Sequence, residues 1–229
     1  MTVPVPGSPL PDLDRTRFYS AGAYAYACIR QAIVEGRLTT GRRLPEAEMA
    51  SWLGISRTPL RQALARLELD GLVETLPRAG LVIASLDEDA VAELYGMREV
   101  LEGTAAGLAA QSATERDIDR LVQLAASAAP APGDGVALYR LNRAFHEAIY
   151  VAAHNRYLLK TLQALHDSLA LLGPTTLTAP GRPDAARGEH ERIVAAIVAR
   201  DAGAAETAAR AHIRNGFLLR RRRRLDAGG

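Results

Sequence analysis

The spacing of apolar residues changes character near residue 84. Over residues 18–35, Ala23, Tyr26, Ala27, Ile29 and Ile33 recur at three- and four-residue steps and predict a helix that Gly36 ends. Gly41 marks a turn, and Pro45 stands where a first-turn proline opens a second helix running to about Leu53. Gly54 breaks that helix, Ser56 is a good N-cap for a third one through Asp70, and Gly71 stops it. Two short apolar runs, 72–75 and 81–84, flank Pro77, Arg78, Ala79 and Gly80 and read as a two-stranded hairpin. Beyond it everything reads as helix. Ser85 with Glu88 forms a capping box for a helix over 87–111, and Thr114 with Asp117 opens another to about residue 128. Further helices are predicted over 136–153, 156–172 and 184–200, and a last one runs from a break at 201–203 towards Arg224. Loops fall at Pro130, Pro132, Gly133 and Gly135, and again from Gly173 to Pro183.

This order predicts a mainly α chain. Residues 1–17 form a flexible N-terminal tail, 18–84 a winged helix-turn-helix, 85–224 an all-α six-helix antiparallel bundle, and 225–229 a C-terminal tail. The 229 residues accommodate one or two domains, and no 20–50-residue repeat is present. No run approaches the ~18 apolar residues of a membrane span, and the first residues lack a secretory h-region, so a cytoplasmic protein without a membrane partner is expected. A single cysteine, Cys28, excludes an intrachain disulfide and a zinc-finger cluster.

The net charge of +2 conceals a division. Residues 1–84 carry ten Arg against eight acids, 85–219 carry 13 bases against 17 acids, and 220–229 carry five Arg against one Asp. Basic charge thus sits at the two ends. Between Arg37 and Arg66 six Arg face two Glu. A helix-turn-helix presents the first turns of its second helix to base edges. Here those turns hold Ser56, Arg57, Thr58, Arg61 and Gln62, with Arg57 and Arg61 at i, i+4, while Leu60, Leu64 and Leu67 face the core. Arg can pair with a guanine edge at two points, and Thr can bond phosphate or meet a thymine methyl. Arg42 and Arg43 are candidate phosphate contacts, and Arg78 and Gly80 form the wing tip. The alternative is an amphipathic helix with a solvated basic face.

A second constellation lies in the helical region. Asn142 and His146 are i, i+4 among Leu138, Leu141, Phe145 and Ile149, so both face inward or nearly so. His190 shares a face with Ile193, Val194 and Ile197, and His212 with Ala208, Ala209 and Gly216. His190 precedes Asp201 by eleven residues and His212 follows it by eleven. An antiparallel pair reversing there brings the two imidazoles level, each about 16 Å along its helix at ~1.5 Å per residue. Three imidazoles and a carboxamide oxygen suit a divalent transition metal, zinc first, with nickel or manganese as alternatives. The competing reading is three separately satisfied core histidines.

The stretch Ile55-Ser56-Arg57-Thr58-Pro59-Leu60-Arg61-Gln62-Ala63-Leu64-Ala65-Arg66-Leu67, continued by Gly71-Leu72-Val73 and Arg78-Ala79-Gly80, resembles the signature of the GntR family of bacterial transcription regulators. Residues 94–103 and the motifs Asn142-Arg143-Ala144-Phe145-His146, Glu189-His190-Glu191-Arg192-Ile193 and Ala211-His212-Ile213 resemble the FCD-type effector domain of its FadR subfamily. The resemblance implies DNA contacts from Ser56, Arg57, Thr58 and Arg61, a homodimer on an inverted-repeat operator, metal ligation by Asn142, His146, His190 and His212, and a small organic acid effector at or beside the metal. Ala47 stands where some members carry an Arg, and Asn142 where many carry Asp. Arg98 and Asn215 are the candidate effector contacts, Arg98 having a salt bridge to Glu102 as its other reading. The expected function is a ligand-responsive transcription regulator, a repressor by default. The rival class is a metalloenzyme acting on a small organic acid, which needs an open metal position and a placed general base.

Overall fold

Caps and turn residues decide where the helices begin and end. In the computed structural model, which describes residues 10–127, 134–172 and 175–227, α1 (Ala21–Val34) opens where Ser20 accepts a hydrogen bond from Ala23 N. Helix α2 (Glu46–Leu53) follows Pro45, which occupies the N-cap rather than the first turn, and ends at Gly54 with φ 63° and ψ 39°. A left-handed residue is what lets the chain turn sharply into α3 (Arg57–Leu69), and glycine adopts it without a Cβ clash. Ser56 is the N-cap of α3, but its side chain makes no capping bond there.

The hairpin pairs β1 (Val73–Leu76) with β2 (Gly80–Ile83) antiparallel, Val73 opposite Ile83 and Leu76 opposite Gly80. Arg43 bridges Val82 on the outer edge of β2, Ile83 N donates to Arg42 O, and Leu44 N donates to Leu81 O. The 41–44 segment thus borders the wing and covers part of its open edge.

Six helices follow: α4 (Glu88–Ser112), α5 (Glu115–Ala125), α6 (Gly135–Ala152), α7 (Arg156–Ser168), α8 (Arg182–Val198) and α9 (Ala202–Ala227). The expected capping box at α5 is present: Thr114 accepts from Asp117 N and Asp117 accepts from Thr114 N. Helix α4 packs along α9, and α8 packs on both. Ala105, Ala106 and Ala109 of α4 and Ala205 of α9 are fully buried, and small side chains let helix backbones approach closely. Leu121, Phe145, Leu162, Ile193 and Ile197 fill the rest of this core. Burying each of these large side chains contributes about 1.5–3 kcal/mol.

Several boundaries differ from the sequence reading. Residues 10–17 of the expected N-terminal tail include a 3-10 turn at Arg15–Arg17, and Leu13 and Phe18 pack against the core of the first unit. Residues 1–9, the loop positions 130–133 and 173–174, and residues 228–229 lie outside the described residues; 225–227 continue α9 rather than forming a tail. The α-helical pattern expected over 156–172 ends at Ser168, and Leu169–Leu172 tighten into a 3-10 turn.

The chain divides into two compact units, and the division is not sequential. Residues up to Asp87 form one unit together with 166–172, and the remainder forms the other. Leu171 is buried in the core of the first unit beside the three helices and the hairpin. Arg30 of α1 pairs with Asp167. The sequence places this segment with the bundle because its helical period continues that of α7. Helix α7 therefore starts in the second unit, where Leu158 and Leu162 are core residues, and ends in the first.

Trp52, the single tryptophan, packs against the first unit's core and reports on it alone. Leu171→Ala is expected to destabilise the transition followed by Trp52 fluorescence in urea by about 2–4 kcal/mol, the range for a buried Leu truncation. An unchanged Trp52 midpoint would show that 166–172 contributes nothing to that unit.

Candidate metal centre and nucleic-acid interface

Three histidines from three helices converge in the second unit. His146 of α6, His190 of α8 and His212 of α9 are all buried, and one ring nitrogen from each lies within 4.8 Å of the other two. The ring centroids of His190 and His212 are 4.7 Å apart, as the eleven-residue symmetry about Asp201 requires. Phe145 stacks on His190 at 3.9 Å between centroids and fixes that ring's plane.

Two carboxylates set which nitrogens face inward. His212 Nδ1 donates to Glu189 Oε2 at 2.6 Å, and His146 Nδ1 lies 2.7 Å from Glu102 Oε2. Glu102 is held in turn by Arg98, whose Nε donates to Oε1 at 2.8 Å. Glu189 accepts from Arg182 at 2.9 Å and from Asn215 at 2.8 Å. Burial opposes both charges, yet Arg98 and His146 hold the Glu102 carboxyl well below the usual carboxylate range. Hydrogen bonds from His212, Arg182 and Asn215 likewise outweigh burial and lower Glu189. Both are ionised, and the Glu189 carboxylate accepts the Nδ1 proton of His212.

His212 Nε2 and His146 Nε2 face one another at 3.3 Å. Two nitrogens bound tetrahedrally to zinc at ~2.0–2.1 Å would lie about 3.3–3.4 Å apart. His190 Nε2 and Asn142 Oδ1 are buried with no hydrogen-bond partner. Burial pushes the His190 imidazole down to about 2, with His212 and His146 adding to it, and pushes His212 down to about 4 against the Glu189 bond. Both rings are therefore neutral at pH 7, the form that ligates a metal. The set fits a divalent ion: His146, His190 and His212 would hold it, with Asn142 at hand as an oxygen donor. A carboxylate behind a ligating histidine is the usual outer support of such sites.

Sequence reasoning did not single out Glu189 or Arg182, and it read Glu102 only as a surface partner of Arg98. The structure makes Arg98 and Glu102 a buried pair on the inward stripe of α4, with Tyr95 under the guanidinium at 4.9 Å. Their i, i+4 spacing in line with Val91, Leu94 and Ala105 carried that signal. Asn215 and Arg98 both reach the carboxylates behind the histidines. His166 is buried, whereas His154 is exposed and bonded to Asp117 at 2.8 Å.

In the first unit, Ser56, Arg57, Thr58 and Arg61 are exposed on α3, and Arg43, Arg78 and Gly80 are exposed around the wing. Arg42 is half-buried. Arg78 sits at the hairpin tip with φ 65°, a left-handed conformation uncommon outside glycine. Arg61 Nε lies 2.9 and 3.0 Å from the two Glu46 oxygens. The pair is solvent-exposed, so it is worth at most about 1 kcal/mol and yields readily to a stronger partner.

Among the described residues no helix is long and apolar enough to cross a membrane. Residues 22–83 match the bacterial regulatory proteins of the gntR family, and residues 93–215 match the FCD domain. The chain is 30% identical over 190 residues to the HTH-type transcriptional regulator YdhC of Bacillus subtilis, covering 82% of this chain and 85% of that protein. It is 31% identical to the Uxu operon transcriptional regulator of Escherichia coli, covering 82% of each. Among solved structures, E. coli McbR/YncC superposes with a TM-score of 0.77 at 21% identity, over 90% of this chain and 99% of that one, and so shares the fold. The winged reading head, the helical bundle and these relatives together show that the chain belongs to the GntR family, with an FCD domain in its C-terminal half, and is a DNA-binding transcription regulator rather than an enzyme.

Proposed function

We propose that the protein is a homodimeric repressor of the FadR subfamily that reads an inverted-repeat operator and responds to a small organic acid at a metal-loaded FCD domain. The observation that carries the effector half is the convergence of ring nitrogens of His146, His190 and His212 within 4.8 Å of one another, with His190 Nε2 buried and unpartnered. Zinc suits this donor set best, because it accepts tetrahedral imidazole and oxygen ligands, and three imidazoles would leave a fourth position to Asn142 or to an effector oxygen. The ion would supply a fixed positive charge for an anionic effector. The carboxylates behind the histidines are occupied by Arg98, Arg182 and the rings themselves, which leaves neither of them poised as a general base.

On the DNA side, Arg57 and Arg61 are the base readers, Ser56, Thr58, Arg42 and Arg43 position the head on phosphate, and Arg78 and Gly80 bring the wing to the backbone or a groove. Glu46 holds the Arg61 fork in the free protein, and a guanine edge replaces it on the operator. An effector changes DNA binding only if it favours one arrangement of the two heads over another. Two covalent routes exist for that bias: α4, which starts at Glu88 straight after the first unit and carries Arg98 and Glu102, and α7, which ends inside the first unit.

Two outcomes are expected. Arg57→Ala or Arg61→Ala loses about 1–3 kcal/mol of discrimination between operator and scrambled duplex in a binding assay at fixed salt. Equal discrimination by parent and variants would remove α3 as the reading helix. Purified protein carries close to one divalent ion per chain by elemental analysis, His190→Ala carries none, and Glu189→Gln binds the ion about 10–100-fold more weakly. A metal-free parent that stays metal-free when zinc is supplied would leave only the reading of satisfied core histidines.

A further inference from the structure

We propose that the five consecutive arginines at 220–224, near the C-terminal end of α9, form a second contact surface for DNA that holds the phosphate backbone outside the bases read by α3. The proposal rests on the DNA-binding role of the chain and is independent of the metal centre.

Helix α9 runs antiparallel to α4. Arg210 lies over Gly103, Arg214 pairs with Glu99, and Arg220 Nε donates to the Tyr95 hydroxyl at 3.2 Å, so numbers rise along one helix as they fall along the other. At ~1.5 Å per residue, Arg224 lies about 6 Å beyond Arg220, level with the first turns of α4. Helix α4 opens at Glu88, straight after the last residue of the reading head. The arginines therefore stand at the end of the bundle where the chain enters from the head.

Internal bonding does not account for the run. Arg223 Nη1 donates to Thr175 O and to Thr178 Oγ1, both at 3.3 Å, and Arg220 reaches Tyr95, all within the same unit. Arg221 and Arg222 are exposed, and among the described residues neither has a carboxylate partner. The helix macrodipole favours cations only in the last turn, which holds Arg224 alone of the five. Glu88 and Asp89 open α4 at this end, where the positive end of that helix favours them. They offset part of the arginines' charge at a distance, but among the described residues they bond to none of them.

Successive helical residues are set about 100° apart, so five arginines in a row make a collar and not a stripe. A collar of guanidinium groups fits a polyanion that presents phosphate from any direction, since each group can bond two phosphate oxygens and needs no base. Residues 85–219 carry 13 bases against 17 acids, so the run is where this unit can hold such a partner. Duplex DNA carries one charge per ~1.7 Å of axis, and its phosphates continue past the bases that α3 reads. Each phosphate neutralised releases counterions, which makes the contact sensitive to salt and indifferent to sequence.

The test compares the full chain with the double variant Arg221→Gln, Arg222→Gln, which removes two charges and keeps good helix formers. Binding to two duplexes of unrelated sequence is followed by fluorescence anisotropy over a salt series. The variant is expected to bind both duplexes more weakly by the same factor, and its slope of log K against log salt should be shallower by about 0.9 per lost contact, hence about 1.8 per chain. An unchanged slope overturns the proposal. A loss confined to one duplex also overturns it, because the arginines would then be reading bases. The charge-preserving pair Arg221→Lys, Arg222→Lys should keep the parent's slope, and a slope that falls with it as far as with Gln overturns the electrostatic account. Circular dichroism of each variant, with the parent's helix content and thermal midpoint expected, separates lost contact from lost fold. Vesicles of phosphatidylglycerol that retain the parent but not the Gln variant, with the DNA slope unchanged, would make the partner a membrane surface and overturn the assignment to DNA.

Discussion

The second unit is organised around three buried imidazoles that meet at one point. Glu189 accepts the Nδ1 proton of His212, and Glu102 lies 2.7 Å from Nδ1 of His146, so the Nε2 atoms of these two rings face one another at 3.3 Å. Apolar packing alone would not choose that arrangement. A divalent ion at the meeting point would give the three rings a common partner. The same ion can satisfy His190 Nε2 and Asn142 Oδ1, which the protein leaves unpartnered. Arg98, Arg182 and Asn215 exist in this scheme to keep the two carboxylates ionised and aimed. Polar side chains of four helices, α4, α6, α8 and α9, thus converge on one point in space, and an ion bound there would contribute to this unit's folding free energy.

That convergence gives regulation a physical route. Helix α4 carries Arg98 and Glu102 and is the first element after the reading head, so a change at the centre acts on the helix that leads from the wing. Helix α7 carries no ligand, yet it begins among the bundle's core residues and ends with Leu171 in the core of the head. A displacement of α7 along its axis has to be accommodated by that core, since interiors are close-packed and deform in discrete steps.

Much of this was legible in the chain. The three-helix head could be read from Gly54, Ser56 and Gly71, because turn chemistry is local and glycine is nearly obligatory at left-handed positions. The His190–His212 pairing could be read from symmetry about Asp201, because helix rise converts sequence distance into height. The carboxylates behind the rings were harder. Glu189 adjoins His190, and charged neighbours of a ligand look like solvated surface until the opposing helix is in place. Arg98 and Glu102 satisfied the rule for an exposed i, i+4 pair, and only their position in the apolar stripe distinguishes a buried one. The fate of 166–172 was not legible at all. Its periodicity belongs to α7, while its burial is decided by α1 and the hairpin, more than eighty residues earlier in the chain.

The uneven charge acquires a meaning once both sites are in view. A net +2 supplies little long-range attraction to DNA, so under the proposed reading discrimination would fall to a few arginines on α3 and to the pairing of two heads. One of those arginines, Arg61, is already engaged by Glu46, which lowers its attraction for an arbitrary phosphate more than for a guanine edge that offers two acceptors in the plane of the fork.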